Sequence, residues 1–264
     1  MRKKRYTKRN AIEGNLPYLA WTLFYFLLFW LALGANAISF IALFAVYLLL
    51  ITFAFTPVAE SFWRVASGVR PLRTSREKER LEPLLDEVYE EVKAINPDIS
   101  KAIKLYIFED MEINAFAFGR GTLVLTRGSI LLLNDECLQG LIAHEFGHFA
   151  HYDTHVQLIV SVGNLFVSLL FKLLNYLAKS FKLIALITKP LFFINDCLLM
   201  SASRHQEYMA DEFALHCRFD IELIAVLYQL YDIVTEKPES VREQLRRTHP
   251  ELTKRIENLE RLSS

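Results

Sequence analysis

The 264-residue chain has few cysteines, little glycine or proline, and no excess of charge of either sign. Its three cysteines form no CxxC pair and leave one unpaired in any disulfide arrangement, so we predict reduced thiols and no disulfide scaffold. Thirty Lys and Arg balance thirty Asp and Glu, which disfavours both a basic field for nucleic acid and an acidic disordered chain. Nine Gly and eight Pro exclude collagen-like and low-complexity classes.

Charge is also missing from one long segment near the N-terminus. Residues 14–59 contain no charged side chain, in a chain that is 53% hydrophobic. Within this segment, residues 16–33 and 38–55 are each long enough to cross about 30 Å of hydrocarbon as a helix. A helix in a soluble core rarely stays apolar on every face over such a length. The pattern therefore predicts a transmembrane helical hairpin, with residues 34–36 at the turn.

The same segment has some features of a cleavable signal peptide. A basic start and an apolar run are followed by Ala-Asn-Ala at 35–37, which imitates a cleavage site. The apolar run, however, exceeds the usual length in such peptides, and a second run follows at once. We therefore favour an anchoring hairpin over a leader that is removed.

Basic residues flank the predicted hairpin on both sides. Six Lys and Arg precede it, and four arginines follow it within residues 64–76. Since cytoplasmic flanks retain positive charge, this placement predicts that both ends of the hairpin face the cytosol.

A second apolar region, residues 156–200, is harder to interpret. Residues 156–171 are uncharged but short, and four lysines and one aspartate interrupt the apolar residues from 172 to 200. A second full hairpin, partial insertion, an interfacial helix and a lysine-tipped span all stay open, and we predict membrane contact in one of these forms.

The rest of the chain has the pattern of a water-facing domain with helices and a small sheet. Leucines and valines at helical spacing predict a helix over 77–95. Asn134 is a predicted N-cap, with acidic residues following, for a helix that ends near His151. Predicted strands cover 103–108, 113–118 and 122–126, and further predicted helices cover 203–218, 221–236 and 250–262.

The helix after Asn134 contains the motif His144-Glu145-Phe146-Gly147-His148. Two histidines at positions i and i+4 share one face of a helix, one turn apart, so both imidazoles can bind one Zn²⁺. Glu145 lies beside them, where it can accept a proton from a zinc-bound water and deliver it to the leaving amine. The alternative is a pair of surface histidines on an amphipathic helix.

The third ligand is predicted from a later helix. An HExxHxxGxxH motif is excluded, because positions 151 and 154 hold His and Thr. Downstream, Glu207 and Asp211 stand at i and i+4, so Glu207 can bind zinc while Asp211 hydrogen-bonds a ligand imidazole. Two histidines, one glutamate and a water would form an open, catalytic site with one Zn²⁺ per chain.

Rival ligands remain. His151 and His155 lie on the helical face of His144, but a rise of about 1.5 Å per residue puts His155 roughly 16 Å away, too far to share a metal ion. His151 stays open as a ligand or as a capping residue. A thiolate from Cys197 or Cys217, which flank the helix of Glu207, also stays open in place of Glu207, whereas Cys137 is expected to be buried.

Six features follow one another along nearly the whole chain. They are the apolar hairpin, Asn114-Ala115-Phe116 with Gly119, His144 to His148 extended to Asp153, the second apolar region, Ser203-Arg204 with Glu207-Tyr208 and Ala210-Asp211, and Thr248-His249-Pro250 with Arg255-Ile256. In this order they resemble the HtpX-like membrane zinc metallopeptidases, relatives of the type I CAAX prenyl proteases. The resemblance implies a mainly α integral membrane protein, with transmembrane helices and a gluzincin-type α+β metallopeptidase domain containing a small sheet. One departure is His205-Gln206, where relatives often carry a second basic residue.

The resemblance also implies residue roles. It gives His144, His148 and Glu207 as zinc ligands, Glu145 as general base, and Asp211 as the carboxylate that orients a ligand histidine. Asn114, Ala115 and Phe116 resemble the strand edge that pairs with an extended substrate. His249 resembles a histidine near the tetrahedral oxyanion, with a loop residue before the helix that begins at Pro250 as the alternative. Asp153 and Arg204 are expected to be structural partners near the site.

The expected organisation has five segments. They are a basic cytosolic tail (1–15), the transmembrane hairpin (16–57), a first part of the metallopeptidase domain (58–154), an apolar membrane-associated hairpin (155–200), and a second part of that domain with the third ligand (201–264).

The predicted function is a multi-pass zinc metalloendopeptidase of the cytoplasmic membrane, with its site facing the cytosol. It would contact the lipid bilayer and cut misfolded or membrane-associated polypeptides. The family resemblance implies the cytoplasmic membrane as its setting and membrane protein quality control as its role. One alternative is a processing protease for lipid-modified C-termini, for which the chain looks too short to build the large membrane chamber. Another is a non-catalytic scaffold stabilised by zinc, although structural zinc sites normally fill all four positions with protein ligands.

Overall fold

The computed structural model describes residues 8–32, 34–163, 172, 204–234 and 252–263. The helices in these residues are α1 (Lys8–Ala32), α2 (Ala37–Ala54), α3 (Pro57–Ala66), α4 (Ser75–Ile95), α5 (Arg127–Leu132), α6 (Asp135–Ala150), α7 (153–163), α8 (204–216), α9 (Asp220–Val234) and α10 (Leu252–Ser263). The strands are β1 (Arg70–Pro71), β2 (Lys104–Phe108), β3 (Ala115–Phe118) and β4 (Thr122–Thr126). The mainly helical class with a small sheet is confirmed.

The apolar N-terminal segment forms two helices joined by a tight turn, as predicted. Gly34 and Ala35 adopt φ angles of +91° and +49° in the turn, and the Asn36 side chain caps α2 by accepting a hydrogen bond from the Ser39 N–H at 2.8 Å. Phe26 of α1 packs edge-on against Phe40 of α2. These contacts stabilise the turn and the pairing of the two helices.

Only one of the two predicted spans meets the length and hydropathy expected of a membrane helix among the described residues. Helix α2 has 18 residues with a mean hydropathy of 2.5, and Leu43 is its one buried residue. The apolar part of α1, Asn15–Leu31, is shorter, although the helix itself begins earlier, at Lys8. The second predicted apolar hairpin lies almost entirely outside the described residues, which include only its first part in α7.

The sheet has the strand order β1-β2-β4-β3. Strands β2 and β4 are parallel, while β1 and β3 pair antiparallel with their neighbours. The three predicted strands are present, and the two-residue strand β1 and the short helix α5 were not predicted. One face of the sheet packs against the helices and contributes fully buried side chains from Ile107, Leu123 and Leu125. Because β3 is last in the strand order, it forms one edge of the described sheet.

Helix α6 is central to the core. It packs against α4, α9 and the edge strand β3, and twelve of its sixteen residues are buried. Gly140 allows α9 to approach closely, because a Cβ atom there would lie 2.6 Å from the backbone nitrogen of Leu223. The helix with the HExxH motif is thus held rigidly between sheet and helices.

Helix α3 connects the apolar hairpin to the face of the sheet that carries Phe116 and Phe118. Trp63 stacks on Phe118 of β3 with ring centroids 3.7 Å apart. The buried Glu60 carboxylate accepts hydrogen bonds from the Thr122 hydroxyl and from the backbone N–H groups of Arg120 and Gly121. The end of the hairpin is therefore fixed to the turn between β3 and β4.

An ion-pair cluster holds β1 against α4. Arg70 contacts Glu77 at 2.8 Å and Glu109 at 2.6 Å. Glu77 also completes a capping box with Thr74 at the start of α4. The hydrogen bond from Arg70 lowers the pKa of Glu77 to about 2, so this carboxylate is charged at neutral pH.

Candidate metal centre

Helix α6 presents the two motif histidines on one face. The Asn134 side chain accepts a hydrogen bond from the Cys137 N–H at 2.8 Å and starts the helix, as predicted. The rings of His144 and His148 lie one turn apart, with centroids separated by 5.0 Å. His144 and Glu145 are each only 4% exposed. The histidines therefore do not form a surface pair.

Helix α8 lies against α6 at a glycine within the motif. A Cβ atom on Gly147 would lie 2.7 Å from the Cα atom of Ala210, so only glycine permits this approach. The contact brings Glu207 to the histidines: its Oε2 lies 3.5 Å from His144 Nε2, and its Oε1 lies 3.7 Å from His148 Nε2. The structure thus brings together the three residues that the sequence identifies as ligands.

The three residues fit a divalent metal ion. One donor atom from each of His144, His148 and Glu207 lies within 4.8 Å of the others. Donors around one tetrahedral zinc lie about 3.3 Å apart, close to the 3.5 and 3.7 Å between the Glu207 oxygens and the two Nε2 atoms. Nitrogen with carboxylate oxygen is a donor set that zinc accepts. Beside them, Glu145 Oε2 is buried without a hydrogen-bond partner among the described residues. A polar ligand in the centre would satisfy this oxygen.

Each histidine is oriented by a carboxylate on its other ring nitrogen. His144 Nδ1 lies 2.9 Å from Asp211 Oδ1, and His148 Nδ1 lies 2.9 Å from Asp153 Oδ2. Both Nε2 atoms are therefore directed towards Glu207. This is the arrangement by which metal-binding histidines are held in one tautomer and orientation. Asp211 and Asp153 lie where the sequence predicts partners of the site.

Arg255 of α10 joins the site, although no spacing pattern in the sequence singles it out. Its guanidinium donates to both oxygens of Asp211, at 2.6 and 2.8 Å. Its Nη1 lies 2.9 Å from Glu207 Oε2, and the residue is 6% exposed. The one signal for Arg255 in the sequence was its place in the motif Thr248-His249-Pro250 with Arg255-Ile256. Arg255 neutralises and positions two carboxylates of the centre.

These contacts set the charges of the site. Burial alone would lower the pKa of His144, but hydrogen bonds to Asp211 and Glu207 outweigh it and raise the pKa to about 10. Burial alone would raise the pKa of Asp211, but Arg255 and His144 outweigh it and lower the pKa. The carboxylates therefore favour positive charge at His144, and a bound metal cation could supply that charge in place of the ring proton.

The predicted substrate strand lies at the sheet edge beside α6. Asn114 is exposed and its Oδ1 accepts from the Ala115 N–H at 2.9 Å. Thr126 donates its N–H to the Asn114 carbonyl at 3.1 Å. Because hydrogen-bonded pairs alternate in antiparallel strands, the backbone groups of Ala115 and Ala117 point away from β4. Phe116 packs instead against Trp63 of α3.

The rival ligands lie elsewhere. His151 is buried at the C-cap of α6, with its ring edge-on to Phe213, and burial lowers its pKa to about 4. His155 packs on Phe55. Cys137 and Cys217 are buried free thiols, and burial raises the pKa of Cys217 to about 12. None of these four belongs to the described donor group.

Two further predicted site residues have less support. His249 lies outside the described residues, as does Cys197. Arg204 is half-buried at the start of α8, three residues before Glu207. The roles suggested for His249 and Arg204 stay predictions.

Comparison with known proteins identifies the family. The model of peptidase family M48 matches residues 75–263, which include all three candidate ligands. The chain belongs to peptidase family M48. This membership confirms the resemblance inferred from the sequence and the enzyme class, a metallopeptidase.

Relatives of this M48 chain include HtpX protease homologues. The one from Dictyoglomus turgidum is 35% identical over 129 residues, which cover 41% of each chain. The one from Bacillus subtilis is 26% identical over 240 residues, covering 78% of this chain and 80% of the relative. The crystal structure of S. mikatae Ste24p has a TM-score of 0.55 at 18% identity and covers 90% of this chain and 61% of that one. The Ste24p likeness shows a shared fold.

Proposed function

We propose that this M48 member is a membrane-anchored zinc endopeptidase. The observation that carries this proposal is the convergence of His144, His148 and Glu207 around one point, with the buried Glu145 carboxylate beside it. Three protein ligands leave a position for water, as catalytic zinc sites do. The names of the HtpX relatives support a protease.

In the proposed reaction, bound zinc would supply a Lewis acid for the scissile carbonyl and an acidified water. Glu145 accepts the proton of that water and delivers it to the nitrogen of the leaving amine. Asp211 and Asp153 hold the two histidines with Nε2 towards the centre. Arg255 balances the charge of Asp211 and Glu207 through each step. His249 is proposed as the donor to the tetrahedral oxyanion.

The edge strand β3 is the proposed substrate-binding element. The outward backbone groups of Ala115 and Ala117 can pair with an extended polypeptide, and Asn114 is exposed at the start of the strand. Strand addition holds a peptide by its main chain with little regard for its sequence. Since such binding requires an extended chain rather than a particular sequence, we propose misfolded or membrane-associated polypeptides as the substrates and membrane protein quality control as the role.

The proposed membrane arrangement places the hairpin of α1 and α2 in the bilayer and the centre on the cytosolic side. The exposed apolar surface of α2 supports the membrane contact. Helix α3 begins three residues after α2 ends, and Val58, Phe62 and Val65 expose an apolar stripe at 68%, 73% and 80%. Such a stripe is suited to the membrane surface. The five-segment organisation, a second membrane hairpin and a cytoplasmic-membrane location belong to the same proposal.

The test is metal-dependent proteolysis by the full chain. Detergent-purified protein should cut unfolded casein, lose this activity after treatment with a zinc chelator, and regain it when zinc is restored. A parallel preparation from cells that lack the chain controls for contaminating proteases. A protein that holds zinc but leaves casein intact would contradict the endopeptidase; cleavage confined to a prenylated peptide would then favour processing of lipid-modified C-termini, and no cleavage at all would favour the scaffold.

A further inference from the structure

Asn15, near the start of α1, reaches the residues that surround the metal centre. It is 2% exposed. Its Nδ2 donates to Asp153 Oδ1 at 3.1 Å and to the His151 carbonyl at 3.2 Å. Its Oδ1 accepts from Gln206 Nε2 at 2.7 Å. One side chain of the apolar hairpin therefore contacts both the segment after the HExxH motif and helix α8.

The partners of Asn15 are the supports of two candidate ligands. Asp153 uses its other oxygen, Oδ2, to hold His148 Nδ1 at 2.9 Å. Gln206 is 4% exposed and directly precedes Glu207 in α8. The Asp153 carboxylate thus bridges Asn15 and His148. Gln206, which bonds Asn15, is the chain neighbour of Glu207.

An amide at this position needs a specific reason. Burying an amide without hydrogen bonds is unfavourable, and apolar residues follow Asn15 along α1. Here both its oxygen and its nitrogen are bonded, over sequence separations of 138 and 191 residues to Asp153 and Gln206. A residue that only held α1 in place would not need to bond Asp153, the carboxylate that orients His148. Keeping such partners in a fixed orientation is what maintains metal affinity.

We propose that Asn15 is a positioning residue that couples the first apolar helix to the metal centre. It fixes the Asp153 carboxylate that orients His148, and it fixes Gln206 at the position of α8 from which Glu207 projects. The inference rests on the proposed metal centre. Its consequence is that the placement of α1 in the membrane sets the geometry of the ligands.

The test compares Asn15→Leu with Thr22→Val in the detergent-purified full chain. Thr22 lies on the same helix, and its hydroxyl donates within α1, to the Tyr18 carbonyl at 2.9 Å, so its loss leaves the centre untouched. Zinc affinity is measured by competition with a chelator of known affinity. Loss of the Asn15 hydrogen bonds should weaken zinc binding by about fivefold, whereas Thr22→Val should bind as the unmodified chain does.

A double variant separates positioning from general stability. Because Asn15 acts partly through Asp153 and partly through Gln206, Asn15→Leu should weaken zinc binding less when it is added to Asp153→Asn than when it is made in the unmodified chain. An Asn15→Leu protein with a lower melting temperature but unchanged zinc affinity would overturn the proposal. The proposal would also be overturned if the two fold-changes in zinc affinity simply multiplied in the double variant.

The measured quantity, zinc affinity, does not depend on proteolytic activity. If the unmodified chain binds zinc but does not cut casein, the proposed activity fails while the zinc affinities still decide the role of Asn15. If Asn15→Leu does not accumulate as folded protein, Gln206→Met removes the hydrogen bond between Asn15 and α8 and leaves the bond from Asn15 to Asp153 in place. That variant should also weaken zinc binding by a few fold, and unchanged affinity would overturn the coupling to α8.

Discussion

Replacing Glu145 with Gln should reduce casein hydrolysis by about 10²- to 10⁴-fold, the usual contribution of a general base. The amide keeps the shape of the side chain but cannot accept the proton of the attacking water. Glu145 is not one of the three converging donors, so the variant should still hold one zinc ion per chain. The measurement is the initial rate of casein cleavage alongside zinc content.

The matched control for this variant is Glu136→Gln. Glu136 lies in the first turn of the same helix and is exposed, so its replacement should leave both cleavage and zinc content unchanged. Full activity in Glu145→Gln would refute the assigned role of Glu145. Loss of zinc from that variant would show that Glu145 belongs to the metal site itself.

Replacing Arg255 with Met should destabilise the metal-free protein by about 3–5 kcal/mol, as expected when one partner of a buried ion pair is removed. Asp211 and Glu207 would then remain buried without the guanidinium that now contacts both at 2.6 and 2.9 Å. Bound zinc supplies positive charge at Glu207. The loss of stability should therefore be smaller in the zinc-loaded protein than in the chelator-treated one.

Thermal unfolding in detergent measures this difference, with Arg261→Met as the control. Arg261 lies on the same helix, and its guanidinium donates to the Asn258 side chain at the surface, at 2.8 Å. The expected shift for Arg255→Met is on the order of 10 °C without zinc, against little change for Arg261→Met. Equal shifts for the two variants would show that the buried ion pairs of Arg255 contribute no more to stability than the surface contact of Arg261.

Local patterns allowed most of the centre to be predicted. The i and i+4 spacing of His144 and His148 fixes one face of a helix whatever surrounds it, and Asn134 starts that helix by a contact three residues away. Glu207 and Asp211 follow the same spacing rule on α8. Spacing alone could not predict that α8 packs against α6 at Gly147, because this contact depends on the close approach of Ala210. The family resemblance implied this meeting of the helices, and the geometry now shows it.

The residues that sequence reasoning missed act over long separations. Arg255 contacts Asp211 across 44 residues, and Asn15 contacts Gln206 across 191. An arginine in an amphipathic helix and an asparagine before an apolar run are both expected at a surface by composition alone. Only the folded arrangement shows them buried. The strand β1 was missed because two residues, one of them proline, carry no strand pattern.

The most direct test of the metal centre is the zinc content per chain of the unmodified protein, Glu207→Ala and Glu212→Ala, measured on detergent-purified samples after the same dialysis. Glu212 lies on the same helix but is not one of the converging donors. We predict one zinc ion in the unmodified chain and in Glu212→Ala, and far less in Glu207→Ala. A full zinc ion retained by Glu207→Ala would contradict the centre formed by His144, His148 and Glu207.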